Sequence, residues 1–304
     1  MNALTHTWLK EITFGLIVAL FNTLQAQIAT VPFEFLDDKL VTVQVQVNEN
    51  PKSLTFVLDT GATADLLDKN TAKELGITSS FKQEATGASG KEVYELAFGQ
   101  KIKLAENIEI ENSNMVLMDL SGLNSYSDDK FDGIIGASLF RKYITVIDFE
   151  NHQHILYDQI DEINLEGYTP LPFKFDNFIP IPQFDMRFTL NNGEILEGKV
   201  LYDLGAGLSF LFNTPFAKEH QIVEKSGKST KSVVAGGLTG TEVPEEKILL
   251  KSIKINNYTF NAVPVMVPEA GGGVSSYEGY AGILGADIIK RFTTVLDYEK
   301  KSST

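Results

Sequence analysis

Cysteine is absent from all 304 residues. That excludes disulfides, thiolate catalysis, iron–sulfur clusters and thiolate zinc sites. Histidine is nearly absent: only His6, His152, His154 and His220 occur, and no pair has zinc-protease spacing, so no metal is expected. Positive charge is in deficit, with 26 Lys and Arg against 40 Asp and Glu and a net charge of −14. Such a surface repels phosphate backbones and anionic lipid heads, so neither nucleic acid nor a membrane surface is an expected partner. No Gly-x-Ser-x-Gly elbow occurs. Gly271-Gly272-Gly273 lacks the following Lys and Ser or Thr of a phosphate loop. Gly205-Ala206-Gly207-Leu208-Ser209-Phe210 imitates part of a dinucleotide loop but ends on Phe, outside any alternating βαβ pattern. No cofactor is therefore expected.

Long hydrophobic runs are also missing. The stretch from Ile12 to Leu24 is apolar except for Thr13, Gly15, Asn22 and Thr23, and is shorter than the roughly 18 residues that a spanning helix needs. It follows Lys10 and precedes Gln25-Ala26-Gln27, the anatomy of a signal peptide with Ala26 as its last residue. We expect residues 1–26 to be removed on export to a periplasmic or extracellular location, with no stable membrane insertion afterwards. The whole chain is 43% hydrophobic and 22% charged, which suits a globular protein, and its length suits two domains.

The chain is written twice. Pro32-Phe33-Glu34-Phe35 recurs as Pro172-Phe173-Lys174-Phe175, offset by 140 residues. Val57-Leu58-Asp59-Thr60-Gly61-Ala62 recurs as Leu201-Tyr202-Asp203-Leu204-Gly205-Ala206, offset by 144. Ala72-Lys73-Glu74 recurs as Ala217-Lys218-Glu219 at 145, and Gly133-Ile134-Ile135-Gly136-Ala137 as Gly282-Ile283-Leu284-Gly285-Ala286 at 149. Thr145-Val146-Ile147-Asp148-Phe149-Glu150 and Thr294-Val295-Leu296-Asp297-Tyr298-Glu299 close each copy, also at 149. Order is kept and the offset only grows, as small loop insertions would produce. The period is too long for a solenoid, so we expect two similar lobes, 27–160 and 161–304. Acidic, turn-rich 158–167 and the prolines at 170, 172, 180 and 182 mark the boundary.

Each copy reads mostly as strand. Val41, Val43, Val45 and Val47 alternate with Thr42, Gln44 and Gln46, a half-buried strand. Ser53 to Leu58 is a second strand running straight into Asp59, while Lys69–Leu75 and Ser138–Tyr143 are short helices. Gly-rich hairpins are expected around Gly87-Ala88-Ser89-Gly90 and Gly236-Gly237-Leu238-Thr239-Gly240. His152 and His154 fall in a turn, and Ser226 to Lys231 in a solvated loop. The fold class is mainly β, with two closed, barrel-like lobes, few short helices and a cleft between the lobes.

Both copies place Asp-x-Gly-Ala directly after an apolar strand. A carboxylate at a buried strand end is fixed and partly desolvated, and the Gly allows another backbone to approach. Two such carboxylates related by a pseudo-two-fold axis would share one proton, since like charges about 3 Å apart cannot both ionise. One member can then take a proton from water while the other donates to a carbonyl oxygen. The plain alternative is a pair of structural turn aspartates bonded to local N–H groups. Asp148 and Asp297, which also repeat, read as structural.

Phe56-Val57-Leu58-Asp59-Thr60-Gly61-Ala62 resembles the active-site signature of the pepsin/retropepsin clan of aspartic proteases. Gly133-Ile134-Ile135-Gly136 and Gly282-Ile283-Leu284-Gly285 resemble the segment that crosses behind each catalytic loop in that clan. The resemblance spans about residues 32–299 and points to a bilobal, bacterial-type member. It implies Asp59 and Asp203 as the catalytic pair, with Thr60, Gly61, Ala62, Leu204, Gly205 and Ala206 as their loops. The two Gly-rich hairpins would be flaps over an extended peptide or protein substrate, in a monomer with an internal two-lobe dyad. Thr60 matches the hydroxyl residue that clasps the opposite lobe, but Leu204 departs from the family's Thr or Ser, so half of that clasp is expected to be missing. The flap tyrosine of pepsins has no obvious counterpart in Gly87 to Gly90; Tyr94 lies a few residues on. The rival expectation is an exported, catalytically inactive peptide- or glycan-binding protein on the same scaffold. A two-carboxylate glycoside hydrolase would need the carboxyls at least about 5 Å apart.

Overall fold

The computed structural model describes residues 27–298, apart from 88–89, 126–128, 177–179, 237–240 and 271–272. Residues 1–26, expected to be a signal segment, and Ala88, Ser89, Gly237, Leu238, Thr239 and Gly240, expected in the hairpin tips, lie outside the described residues.

The first lobe opens with β1 (Ala29–Pro32), β2 (Glu34–Leu36), β3 (Leu40–Val47) and β4 (Leu54–Leu58), which delivers Asp59. Next come β5 (Leu66–Asp68), α1 (Lys69–Glu74), the hairpin β6 (Phe81–Gly87) and β7 (Gly90–Ala105), and β8 (Ile108–Met118). It ends with α2 (Ser121–Asn124), β9 (Gly133–Ile135), α3 (Ala137–Lys142), β10 (Ile144–Asp148) and β11 (Gln153–Tyr157). The second lobe holds β12 (Gln183–Thr189), β13 (Ile195–Tyr202), β14 (Phe210–Phe212), α4 (Thr214–Glu219), α5 (Ile222–Ser226), β15 (Ser229–Gly236) and β16 (Thr241–Ile255). It closes with β17 (Tyr258–Pro268), β18 (Gly282–Leu284), α6 (Ala286–Ile289) and β19 (Thr294–Leu296).

The first sheet runs β2-β3-β4-β9-β5-β8-β7-β6 and closes through β3–β7. The second runs β12-β13-β18-β14-β17-β16-β15 and closes through β12–β16. Apart from β2, which the second sheet lacks, the two correspond strand by strand, down to the parallel pairs β4–β9 and β13–β18, and β5–β8 and β14–β17. The duplicated text therefore folds as duplicated topology. Strands β4 and β9 sit mid-sheet and are buried almost throughout, which is why they lack the polar alternation of β3.

A separate four-stranded sheet, β1-β11-β10-β19, joins the lobes. Its β10–β19 pairing sets Val146 opposite Val295, Thr145 opposite Leu296 and Ile147 opposite Thr294. One apolar core runs through both lobes, with Phe56, Leu58 and Leu67 from one and Phe188, Phe210 and Phe212 from the other.

Two expectations are corrected here. His152 does sit in the turn, with a left-handed backbone, but His154 belongs to β11 and is fully buried. The turn closes earlier than the spacing suggested, because Asp148 accepts the N–H groups of Glu150 and Asn151 and folds the chain back at once. Nor is 226–231 a loop: Ser226 ends α5 buried, and β15 begins at Ser229.

Candidate active site

Asp59 follows β4, with its N–H bonded to Ile135 O of β9 at 3.0 Å, and Asp203 follows β13, with its N–H bonded to Leu284 O of β18 at 3.0 Å. Each loop is fastened from behind in the same way: Ala137 N–H donates to Ala62 O at 2.9 Å, and Ala286 N–H donates to Ala206 O at 2.8 Å. Gly136 and Gly285 permit that crossing, since a Cβ on either would come within 2.6 Å of those same carbonyl oxygens. This is the physical reason for the repeated Gly-Ile-Ile/Leu-Gly segment.

The two loops face one another. A Cβ on Gly61 would stand 2.5 Å from the carboxyl carbon of Asp203, and one on Gly205 would overlap the carboxyl of Asp59. The two carboxyls share a hydrogen bond. Asp59 Oδ1 also accepts from Gly61 N at 2.7 Å and Ala62 N at 3.1 Å, and Asp203 Oδ1 accepts from Gly205 N at 2.9 Å. Burial raises both acids, and the neighbouring Asp59 charge raises Asp203 well above the usual carboxylate range. Two acids raised in this way and bonded to one another hold a single proton between them. Both residues keep partial solvent exposure, so water has access.

Thr60, 2% exposed, donates from Oγ1 to Tyr202 O at 3.0 Å and accepts the N–H of Leu204 at 2.9 Å. Leu204 is fully buried in the apolar core and offers no hydroxyl in return. One half of a reciprocal clasp is therefore present.

Of the hairpin glycines, Gly87 pairs with Gly90 across β6–β7, and Gly236 ends β15 opposite Thr241. The turn Gly273–Ser276 of the second lobe lies beside both β6 and β7, so the first hairpin reaches over the seam. Tyr94 stands on β7 and lines a surface groove with Lys69, Met118 and Asp119. That groove and a second one lined by Gln44, Ser53 and Lys103 both exclude the Asp pair. Asp148 serves its turn, as expected.

Three buried or half-buried carboxylates went unnoticed in the sequence. Asp65, 2% exposed, accepts from Ser113 Oγ at 2.5 Å, Gly136 N at 2.9 Å and Ser138 Oγ at 2.7 Å. Asp68 caps α1 through Asn70 N and Thr71 N and also takes Leu120 N. Asp132 accepts from Thr55 N and Thr71 Oγ1. They brace the loop that carries Asp59. A signal existed for Asp68, whose counterpart Asn213 precedes α4 in the second lobe. Among the described residues, no three His, Asp or Glu side chains are placed to hold a metal.

Two Asp loops thus face one another across a pseudo-dyad. Residues 43–139 match the family model described as aspartyl protease. The matched segment takes in Asp59, the first hairpin and β9, and stops short of the second lobe. No curated protein matches the chain.

Proposed function

We propose that the protein is an aspartic-type endopeptidase that hydrolyses peptide bonds with water activated between Asp59 and Asp203. The observation that carries this is the reciprocal packing of Gly61 on the Asp203 carboxyl and Gly205 on the Asp59 carboxyl, which forces two acids with raised pKa values into one hydrogen-bonded pair. Asp59 accepts a proton from water as the water oxygen bonds to the carbonyl carbon. Asp203 gives its proton to the carbonyl oxygen, forming a neutral tetrahedral diol. The proton on Asp59 then passes to the amide nitrogen, the C–N bond breaks, and a diol hydroxyl returns its proton to Asp203. The backbone N–H groups of Gly61, Ala62 and Gly205 keep the carboxylates oriented throughout.

The proposal includes flaps at both hairpins, an extended peptide as substrate, and a monomeric enzyme exported after loss of residues 1–26. Ile28 N–H already bonds Leu156 O at 2.8 Å, so a mature chain starting at Gln27 would be anchored from its second residue. The test is digestion of an unbiased peptide mixture from about pH 3 to about pH 7, read by mass spectrometry, with Asp59→Asn as control. Cleavage by the wild type and none by folded Asp59→Asn is expected. Equal cleavage by both would end the proposal, and peptide binding without cleavage would replace the enzyme with a binding protein.

A further inference from the structure

The β2–β3 turn crosses the seam. Asp37 and Asp38 both adopt left-handed backbones, with φ of 52° and 56°, and Lys39 N–H closes the turn on Leu36 O at 3.0 Å. The second lobe holds this turn in place: Lys290, at the end of α6, donates from Nζ to Asp38 O at 2.8 Å. So fixed, the stem of Lys39 lies over Gly207, where a Cβ would meet Lys39 Cδ at 3.3 Å and Lys39 Cβ at 3.4 Å. A first-lobe cation is thus laid on the second-lobe loop that carries Asp203.

Three cations gather at this corner, and two are occupied. Lys290 Nζ bonds Asp38 O and sits 3.6 Å from Asp287 Oδ1. Arg291 donates to Asp287 O and lies over the Phe260 ring. Lys39 is exposed, and among the described residues no carboxylate comes within ion-pair distance of its ammonium. Exposed Asp37 and Asp38 precede it on the same turn, so the corner is of mixed charge, and Lys39 is a cation in it that remains available to a carboxylate from outside.

Its distance from the chemistry is bounded. Four residues separate Gly207 from Asp203, a span of at most about 14 Å. An extended peptide advances about 3.4 Å per residue, so Lys39 addresses side chains within about four residues of the bond being cut. At the offset of 140, Lys39 corresponds in sequence to Ile179, within Asp176-Asn177-Phe178-Ile179-Pro180, which has no basic residue. Lys39 therefore has no basic twin in the duplicated sequence.

We propose that Lys39 is a specificity residue that selects peptides with an acidic side chain, Glu or Asp, at one position within about four residues of the scissile bond and on one side of it. This rests on the proteolytic reading above. The test uses peptides with a common core and a single Glu, Gln or Lys moved through four positions on either side. In the wild type, kcat/KM for Glu over Gln should rise about two- to fivefold at one position, and less as salt increases. That ratio should fall to about one in Lys39→Gln, and Lys39→Glu should instead favour the Lys peptide at that position. A wild type that cleaves without acidic preference, or a preference unchanged in Lys39→Gln, overturns the assignment. Fluorescent versions of the same peptides, titrated onto Asp59→Asn and onto Asp59→Asn with Lys39→Gln, separate the two proposals. Charge-selective binding that needs Lys39, from a wild type that cuts nothing, sinks the protease and upholds the Lys39 site. Neither cleavage nor charge-selective binding overturns both.

Discussion

Val146 pairs with Val295 in the sheet between the lobes, and each is the other's counterpart in the duplicated sequence. The flanking pairs, Thr145 with Leu296 and Ile147 with Thr294, exchange symmetrically about them. A pseudo-two-fold axis passes between the two valines. The same exchange reappears at the site, where Gly61 meets Asp203 and Gly205 meets Asp59. The lobes are thus registered at two levels, by a strand pair and by interlocked carboxyl loops.

The first prediction concerns that interlock. Gly61→Ala and Gly205→Ala each drive a methyl into the opposite carboxyl, so the Asp pair must separate. Each should cost about 1–3 kcal/mol of stability and at least about 100-fold in kcat. Gly193→Ala is the contrast. Its φ of 92° makes it strained, but nothing lies within 4 Å of an added Cβ, so it should lower the melting temperature and leave kcat alone. Near-normal turnover in Gly61→Ala would show that the carboxyls do not need this spacing.

The second concerns the clasp. Of the two clasp positions, Thr60 and Leu204, only Thr60 supplies a hydroxyl, and Thr60→Ala strands Tyr202 O and the Leu204 N–H in a buried place. A loss of about 1–3 kcal/mol and a larger fall in kcat than in stability would fit. Leu204→Thr works the other way. It should leave activity unchanged or raised by restoring the missing hydroxyl, while costing about 1–3 kcal/mol in lost packing, because Leu204 is fully buried. A Thr60→Ala enzyme with full kcat would mean that packing around Leu204 aligns the loops.

Much of this was legible because duplication writes the same constraint twice. Asp59 and Asp203, the two Gly segments behind them and the half-clasp at Thr60 and Leu204 all follow from comparing one copy with the other. What comparison could not supply is whatever the copies do not share. Asp65 and Asp132 brace the first loop, but the matching places in the second lobe hold Ser209 and Ala281, so no repeat drew attention to them. Lys39 likewise has no basic twin. His154 was misplaced because a two-residue difference in turn length moves a side chain from solvent to core, and local composition around Asn151 does not fix that length.

The third prediction concerns the proton held by the Asp pair. Asp203 is raised well above the usual carboxylate range by burial and by Asp59. A carboxyl raised on folding destabilises the folded state as pH climbs from its unfolded value, about 4, through its folded value, and the penalty then stays constant. Asp203→Asn should therefore melt higher than the wild type at pH 7, by about 1 kcal/mol or more, with the gain vanishing near pH 3. It should cut no peptide. Wild-type activity should also fall on the alkaline side as the Asp pair loses its shared proton and on the acid side as it gains a second, with the alkaline limb shifted above the range of free carboxylates. A melting temperature lower in Asp203→Asn at every pH would contradict the raised acid.

The fourth concerns His154 and sets the acid limit of the fold. Its ring is fully buried, both nitrogens lack a hydrogen-bond partner, and its pKa is lowered by burial to about 4. Around it stand Val31 and Ile147 on neighbouring strands, with Phe140 at 6.5 Å, and among the described residues no carboxylate pairs with it. In the unfolded chain it titrates near 6.5. Above that pH neither state carries the proton, and His154 adds no pH dependence. As pH falls from about 6.5 to about 4, the unfolded chain gains a proton that the folded protein cannot accept, and stability drops by about 3 kcal/mol. His154→Leu should remove that slope. It should also gain about 1–3 kcal/mol at pH 7, since an unpartnered donor and acceptor leave the core. Urea denaturation at pH 7 and pH 4.5 decides it: the wild type should lose far more stability between the two than His154→Leu does. Parallel losses in both proteins would place the acid sensitivity elsewhere in the fold.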